Sequence, residues 1–468
     1  MLEKLANIFR IPDLRKRVLF TLGLLAVYRL GGHIPTPGIN SDLLAQFFQQ
    51  QQGSILGFID LFSGGQLRRL TIFALGIMPY ITASIILQLL TVVYEPLAKL
   101  QKEGELGRKK ITQWTRYLTV ILSAVQSLGI AVTLVKSTAG GTPFVIDPGP
   151  SFVLMTMLTL TTGSAFIMWL GEQITERGVG NGMSLLIFAG IVVGLPRGVI
   201  DMVDKARTGA WGGLTVPAIA LMVVLMVAVV AFIVYVERSE RRIPVQYAKR
   251  VVGRKIMGGQ STHLPLRVNS GGVMPVIFAS SVLTLPQTVG FALKDNRFFG
   301  PLLKALQWGE PLYTLLYAVG ILFFAYFYVS IVFNPKEVAD NMRKYGGFIP
   351  GIRPGQRTSE HINEILTRIT LVGALYLIII SFIPEWMITG IHLNHLPVWL
   401  GRDLFERLPT WITSGLGVNF YFGGTSLLIV VGVAMDTVQQ IEAQLIMRHY
   451  EGFTPRSGRI RGRRTWAG

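Results

Sequence analysis

The sequence predicts an all-α, polytopic membrane protein, and three observations carry that prediction. Half of the 468 residues are hydrophobic and only 15% are charged, with a mean hydropathy of +0.48. Several apolar runs reach the roughly 18 to 25 residues needed to span hydrocarbon. Lys and Arg alternate in density from one inter-run loop to the next, as the positive-inside rule requires of a membrane protein. There is no cysteine, so nothing relies on disulfides or thiolates, and the redox compartment stays open.

Ten spans are expected at about 18–33, 71–93, 114–136, 152–173, 182–200, 214–236, 273–293, 311–333, 367–388 and 424–446. The first follows "MLEKLANIFRIPDLRKRVLF", which is basic and lacks a small-residue cleavage site, so it reads as a retained span. Arg29 lies near its outer end, where an arginine snorkels to the headgroups. With both termini in the cytoplasm, 32 of the 44 Lys and Arg residues face that side and 12 the other. The topology is therefore expected to be inside–inside.

Much of the cytoplasmic charge lies in two long loops, Glu237–Asn269 and Asn334–Thr367. Their Gly and Pro residues at 253, 346, 347, 350, 351, 354 and 355 predict ordered, hairpin-like tips. A basic tip suits an anionic partner such as ribosomal RNA or an acidic protein surface. Orientation and attraction to anionic lipids are the alternative use of the same charge.

Several function classes are excluded. There is no GxxxxGK[ST] phosphate loop, no HExxH helix and no GxSxG elbow. The six histidines fall in loops or at span ends, so no metal site or other cofactor is expected, and no enzyme. An ion-coupled carrier is the rival reading, but it needs intramembrane ionisable groups. Asp436 is the clearest one in the spans. Gln88, Gln126, Ser280, Ser281, Thr284 and Gln287 are polar but uncharged, as interhelical hydrogen-bonding groups commonly are. Ile77, Ile81 and Ile85 make a stripe that suits lipid contact, core packing or a dewetting constriction, and periodicity does not choose among them.

One apolar segment is too short to cross. Ile55 to Phe62 carries Asp60, ends in Ser63-Gly64-Gly65 and is followed by Arg68 and Arg69. A re-entrant or interfacial helix fits its length.

The strings "PTPGI", "FSGG", "IFALGIMPYITASIILQLLTVV", "KEGELGRKKITQWTRY", "WLGEQITERGVGNGMSLLIFAGIV", "YAKR", "QSTHLPLRVNSGGVMPVIFASS", "GFIPGIRPGQRT" and "FYFGGTSLLIVVGVAMDT" resemble the SecY family, the channel subunits of the bacterial protein translocase. The resemblance runs in order from about Arg15 to about Tyr450. It implies two inverted halves, 1–200 (spans 1–5) and 201–450 (spans 6–10), around an hourglass pore in the plasma membrane, with a basic tail at 451–468. It implies a plug helix at about Ser54 to Gly65, using Ile55, Leu56, Phe58, Asp60, Leu61, Phe62, Ser63, Gly64 and Gly65. The pore ring would be Ile77, Ile81, Ile187, Ile277 and Ile429, with Ile85 outside it. A lateral gate between spans 2 and 3 and spans 7 and 8 would hold a polar seam of Gln88, Gln126, Ser280, Ser281 and Thr284 that hydrogen-bonds when closed.

The same resemblance assigns Arg254, Lys255 and Arg353 to docking of SecA or the ribosome, and names SecE and SecG as further partners. Unfolded preproteins with a signal sequence would be the substrate, with apolar segments released to membrane lipids. Lys255 departs from an arginine pair, keeping charge without the planar fork. The stretch 389–418 is longer than the family pattern, and its Leu396, Trp399, Leu400, Leu404, Phe405, Leu408 and Trp411 predict an amphipathic surface helix.

Overall fold

The structure, a computed structural model, describes residues 11–50, 60, 63–136, 138–139, 142–207, 215–247, 250–252, 255–257, 261–290, 305–306, 310–389 and 424–451. The helices are α1 (Pro12–Gly31), α2 (Ser41–Gln50), α3 (Met78–Val93), α4 (Glu95–Lys102), α5 (Glu105–Lys136), α6 (Pro150–Arg177), α7 (Gly182–Arg207), α8 (Thr215–Arg238), α9 (Met274–Gly290), α10 (Pro311–Val332), α11 (Pro335–Lys344), α12 (Gln356–Thr389) and α13 (Gly424–Glu451). A helix lies on every predicted span. Among the described residues, five helical segments are by length and composition sufficient to cross a membrane, beginning at Glu105, Pro150, Pro311, Gln356 and Ser426. A sixth, α3 with α4, qualifies only as a pair bent by 105°. The insertion at 390–418 and the tail at 452–468 lie outside the described residues.

Prolines open α1, α3, α6 and α10 at the first or second position, where a missing N–H sacrifices no helical bond. The second span departs from expectation, because its helix starts at Met78 rather than 71. Thr71 to Ile77 form turns instead. Thr71 bridges to Pro35, and the Ile72 amide donates to the Ile34 carbonyl at 3.0 Å. Phe73 stacks on Tyr28 of α1 at 6.0 Å and on Phe166 of α6 at 5.9 Å. An apolar run buried as a turn looks like helix to hydropathy alone. In contrast, α5 and α12 begin ahead of their apolar windows, so their polar first turns project beyond them.

The two basic loops, expected as separate tips, form one sheet. Strand β3 (Glu240–Tyr247) pairs antiparallel with β6 (Ser261–Arg267), and β7 (Gly347–Phe348) joins β3 at Gln246 and Tyr247. Between β3 and β6, β4 (Arg250–Val252) and β5 (Lys255–Met257) make a second hairpin. The remaining strands, β1 (Thr138–Ala139) and β2 (Thr142–Pro143), form a small hairpin after α5. On β3, Ile243 and Val245 point inward, packing with Leu266, Ile349, Ile362 and Leu366 over α12. Pro244 lies opposite His263 of β6, on a stretch of β3 whose other edge β7 does not reach.

Candidate functional site

The largest buried cluster contains Ile77, Ile81, Ile187, Ile277 and Ile429 together. They arrive from the start of α3, from α7, from α9 and from α13, and are 7, 7, 3, 1 and 0% exposed. Ile85, one turn along α3, is buried in the same cluster. Branched aliphatic side chains offer no group to bind an ion or a polar solute, and a constriction made of them dewets.

Beside the isoleucines lies a cavity of about 430 Å³ lined in part by Ile81, Ile187 and Ile277. Its polar lining comes chiefly from α3, α5, α6 and the start of α7, with Gln88, Thr112, Arg116, Glu172, Glu176 and Ser184 among the contributors. Arg116 Nε donates to Glu172 Oε1 at 2.8 Å, binding α5 to α6. Sequence reasoning missed this pair by counting Arg116 with the preceding basic loop. The available signal was an opposite charge at the end of each of two consecutive spans. Asp436, the carrier candidate, sits 3.7 Å from Arg267 with both side chains about half exposed. Its partner belongs to the sheet, so Asp436 lies where α13 meets the sheet.

At the expected seam, α9 packs on α3 and α5, and Gln126, Ser280, Ser281 and Thr284 are all buried. The hydrogen bonds run differently from a cross-seam zipper. Ser280 and Ser281 donate to the Ile277 carbonyl at 2.9 and 2.8 Å, and Thr284 donates to the Ser280 carbonyl at 2.7 Å. Gln88 Nε2 donates to Ser84 within α3. Helical Ser and Thr take the carbonyl three or four residues back because it is always within reach. Across the seam, Ser281 approaches Met78 Sδ at 3.8 Å.

Of the short segment, Asp60, Ser63, Gly64 and Gly65 are described, whereas Ile55, Leu56, Phe58, Leu61 and Phe62 lie outside the described residues. Asp60 organises the turn. Its carboxylate accepts from the Arg68 amide at 3.0 Å, and its carbonyl accepts from the Gly65 amide at 2.8 Å and the Ser63 hydroxyl at 2.9 Å. Burial raises the Asp60 carboxyl above its usual range, and the Arg68 amide and guanidinium pull back against that rise. Arg29, at the end of α1, reaches the same turn. Its guanidinium donates to the Gly64 carbonyl at 3.4 Å. Gly64 has φ +73°, and a Cβ there would sit 2.9 Å from Gly190 Cα on α7. Glycine is required on both counts.

Arg353 is exposed beyond Gly351, and its carbonyl accepts from the Thr358 hydroxyl at 3.0 Å. Lys255 pairs with Val252 in the β4–β5 hairpin, whose tip residue Arg254 lies outside the described residues. Among the described residues, no group of three or more His, Asp or Glu side chains is placed to hold a metal ion.

The family model described as SecY matches residues 71–438. The protein translocase subunit SecY of Escherichia coli (strain K12) is 49% identical over 442 residues, covering 94% of this chain and 93% of its own. A solved SecY translocation channel, whose plug domain stabilises its closed state and maintains a membrane seal, superposes with a TM-score of 0.60 at 17% identity over 94% of each chain. The Sec61 channel of a canine ribosome–channel complex from the endoplasmic reticulum gives 0.56 at 16% identity, again over 94% of each chain. At these identities the structural likeness is one of fold.

Proposed function

The chain belongs to the SecY family, and from that premise we propose that it is the passive channel through which a translocase moves unfolded secretory polypeptides across a bacterial plasma membrane. Ten crossings place both termini in the cytoplasm, with halves 1–200 and 201–450 enclosing the pore. One observation carries the reading. Five isoleucines from four helices meet in one buried cluster beside a cavity lined by both polar and apolar side chains. A deformable aliphatic ring yields to a moving chain and closes behind it, without a binding site that would retain ions or side chains.

The other assignments rest on the same family premise. The turn at Asp60 to Arg68 is the root of a plug formed by residues 54–65. Ser280, Ser281, Thr284, Gln88 and Gln126 line a lateral gate whose three hydroxyls each donate to a carbonyl of α9 itself, with Ser281 also near Met78 Sδ across the seam. Such a seam parts without orphaning donors, and it releases apolar segments into lipid. Arg353, Lys255 and Arg254 present charge to SecA or the ribosome, as anionic or acidic surfaces require. The chain is not an enzyme on this reading, and SecE and SecG complete the channel.

Reconstitution with SecE, SecG, SecA and ATP in proteoliposomes tests the proposal. Protease-protected preprotein should accumulate in the vesicles. Vesicles that bind SecA and hydrolyse ATP yet protect no preprotein would contradict it.

A further inference from the structure

The connection between the sheet and the α9 helix is six residues long and packed against neighbouring helices. Val268 to Val273 form the turn that leaves β6 and enters α9. Asn269, 6% exposed, uses its side-chain nitrogen twice, donating to Glu237 Oε1 of α8 at 2.7 Å and to the Gly272 carbonyl at 3.0 Å. The Val268 amide donates to the Ser239 carbonyl at 3.0 Å, just before β3. Two neighbouring helices press on the turn through glycines. A Cβ on Gly373 of α12 would lie 2.7 Å from the Val268 carbonyl oxygen, and one on Gly432 of α13 would lie 2.7 Å from Val273 Cγ1.

The elements on either side are those the proposed function uses. Upstream, β6 pairs along its length with β3, and β3 pairs with β7, which leads into the Arg353 loop. Downstream, Ile277 begins its helical hydrogen bonding by donating to the Val273 carbonyl at 3.3 Å, and Ser280, Ser281 and Thr284 follow on α9. A displacement of the sheet therefore reaches α9 through a packed turn with two saturated side-chain bonds. Packed elements of this kind move as units between discrete arrangements rather than deforming continuously.

We propose that Asn269 is a positioning residue for the gate, joining the basic sheet and α9 into one moving unit. Binding at the sheet then tilts α9 against α3. Glu237 is its fixed partner on α8. This inference rests on the reading of the sheet as a docking surface.

The chain has no native cysteine, so a dye pair can be placed by V92C on α3 and V282C on α9, both exposed positions. The complex with SecE and SecG in nanodiscs is titrated with purified ribosomes, reading ribosome affinity and the energy-transfer change between the dyes. In N269A and E237A, affinity should stay unchanged while the energy-transfer change on binding falls about fivefold. E237Q keeps the acceptor oxygen and should keep the response. An undiminished response in N269A overturns the inference while leaving docking intact. Loss of the resting energy-transfer value in both alanine variants makes Asn269 a folding residue and overturns it equally. Absence of ribosome binding to the unsubstituted complex overturns the docking reading, and the inference with it.

Discussion

Arg116 and Glu172 are joined at 2.8 Å across α5 and α6, but they are unequally buried, with side-chain exposures of 43% and 14%. The asymmetry has a consequence. Removing Glu172 leaves a guanidinium that rehydrates readily, whereas removing Arg116 leaves a carboxylate with less access to water. R116A should therefore destabilise the protein by about 1–2 kcal/mol more than E172A. Thermal unfolding of the detergent-solubilised complex compares the two, and equal losses would show the pair to be solvated on both sides.

At the ring, I277N should make the closed channel leak ions while I277V should not. Asparagine introduces an amide into a site 1% exposed, where an unpaired polar group costs about 1–3 kcal/mol and draws in water. Valine removes one methylene, at about 0.5–1.5 kcal/mol. Ion flux from loaded proteoliposomes reads the difference.

Gly64→Ala attacks the root of the plug. Its φ of +73° strains any residue with a Cβ, by about 1–2 kcal/mol, and that Cβ would also strike Gly190. The variant should raise the open probability of single channels in planar bilayers, and R29A, which removes the bond to the Gly64 carbonyl, should act in the same direction more weakly.

Arg353→Glu reverses an exposed charge that contributes only its carbonyl to the fold, through Thr358. Membrane insertion and thermal stability should remain, while SecA-driven translocation in vesicles should fall at least tenfold, about 1.4 kcal/mol or more in the docking step.

The helices were legible because hydrocarbon demands long apolar runs, and the five isoleucines because they stand in recognisable strings. What the sequence hid was non-local. The pairing of β7 with β3 joins residues a hundred positions apart, and neither strand shows a pattern that names the other. Thr71 to Ile77 is as apolar as a helix, yet its contacts with Pro35, Tyr28 and Phe166 fold it as a turn. Nothing in span 1 announces that the Gly64 carbonyl lies within reach of Arg29. The seam residues stand where α9 packs on α3 and α5, but composition does not distinguish a neighbouring helix from the carbonyl one turn back, which Ser281 takes.

Single-channel recording in planar bilayers of the intact complex and of a deletion of residues 54–65 tests whether the pore is gated. The intact channel should be silent and the deletion should conduct. Silence from both would contradict the plug, and substrate-dependent uptake of a small solute by the intact protein would contradict the channel itself.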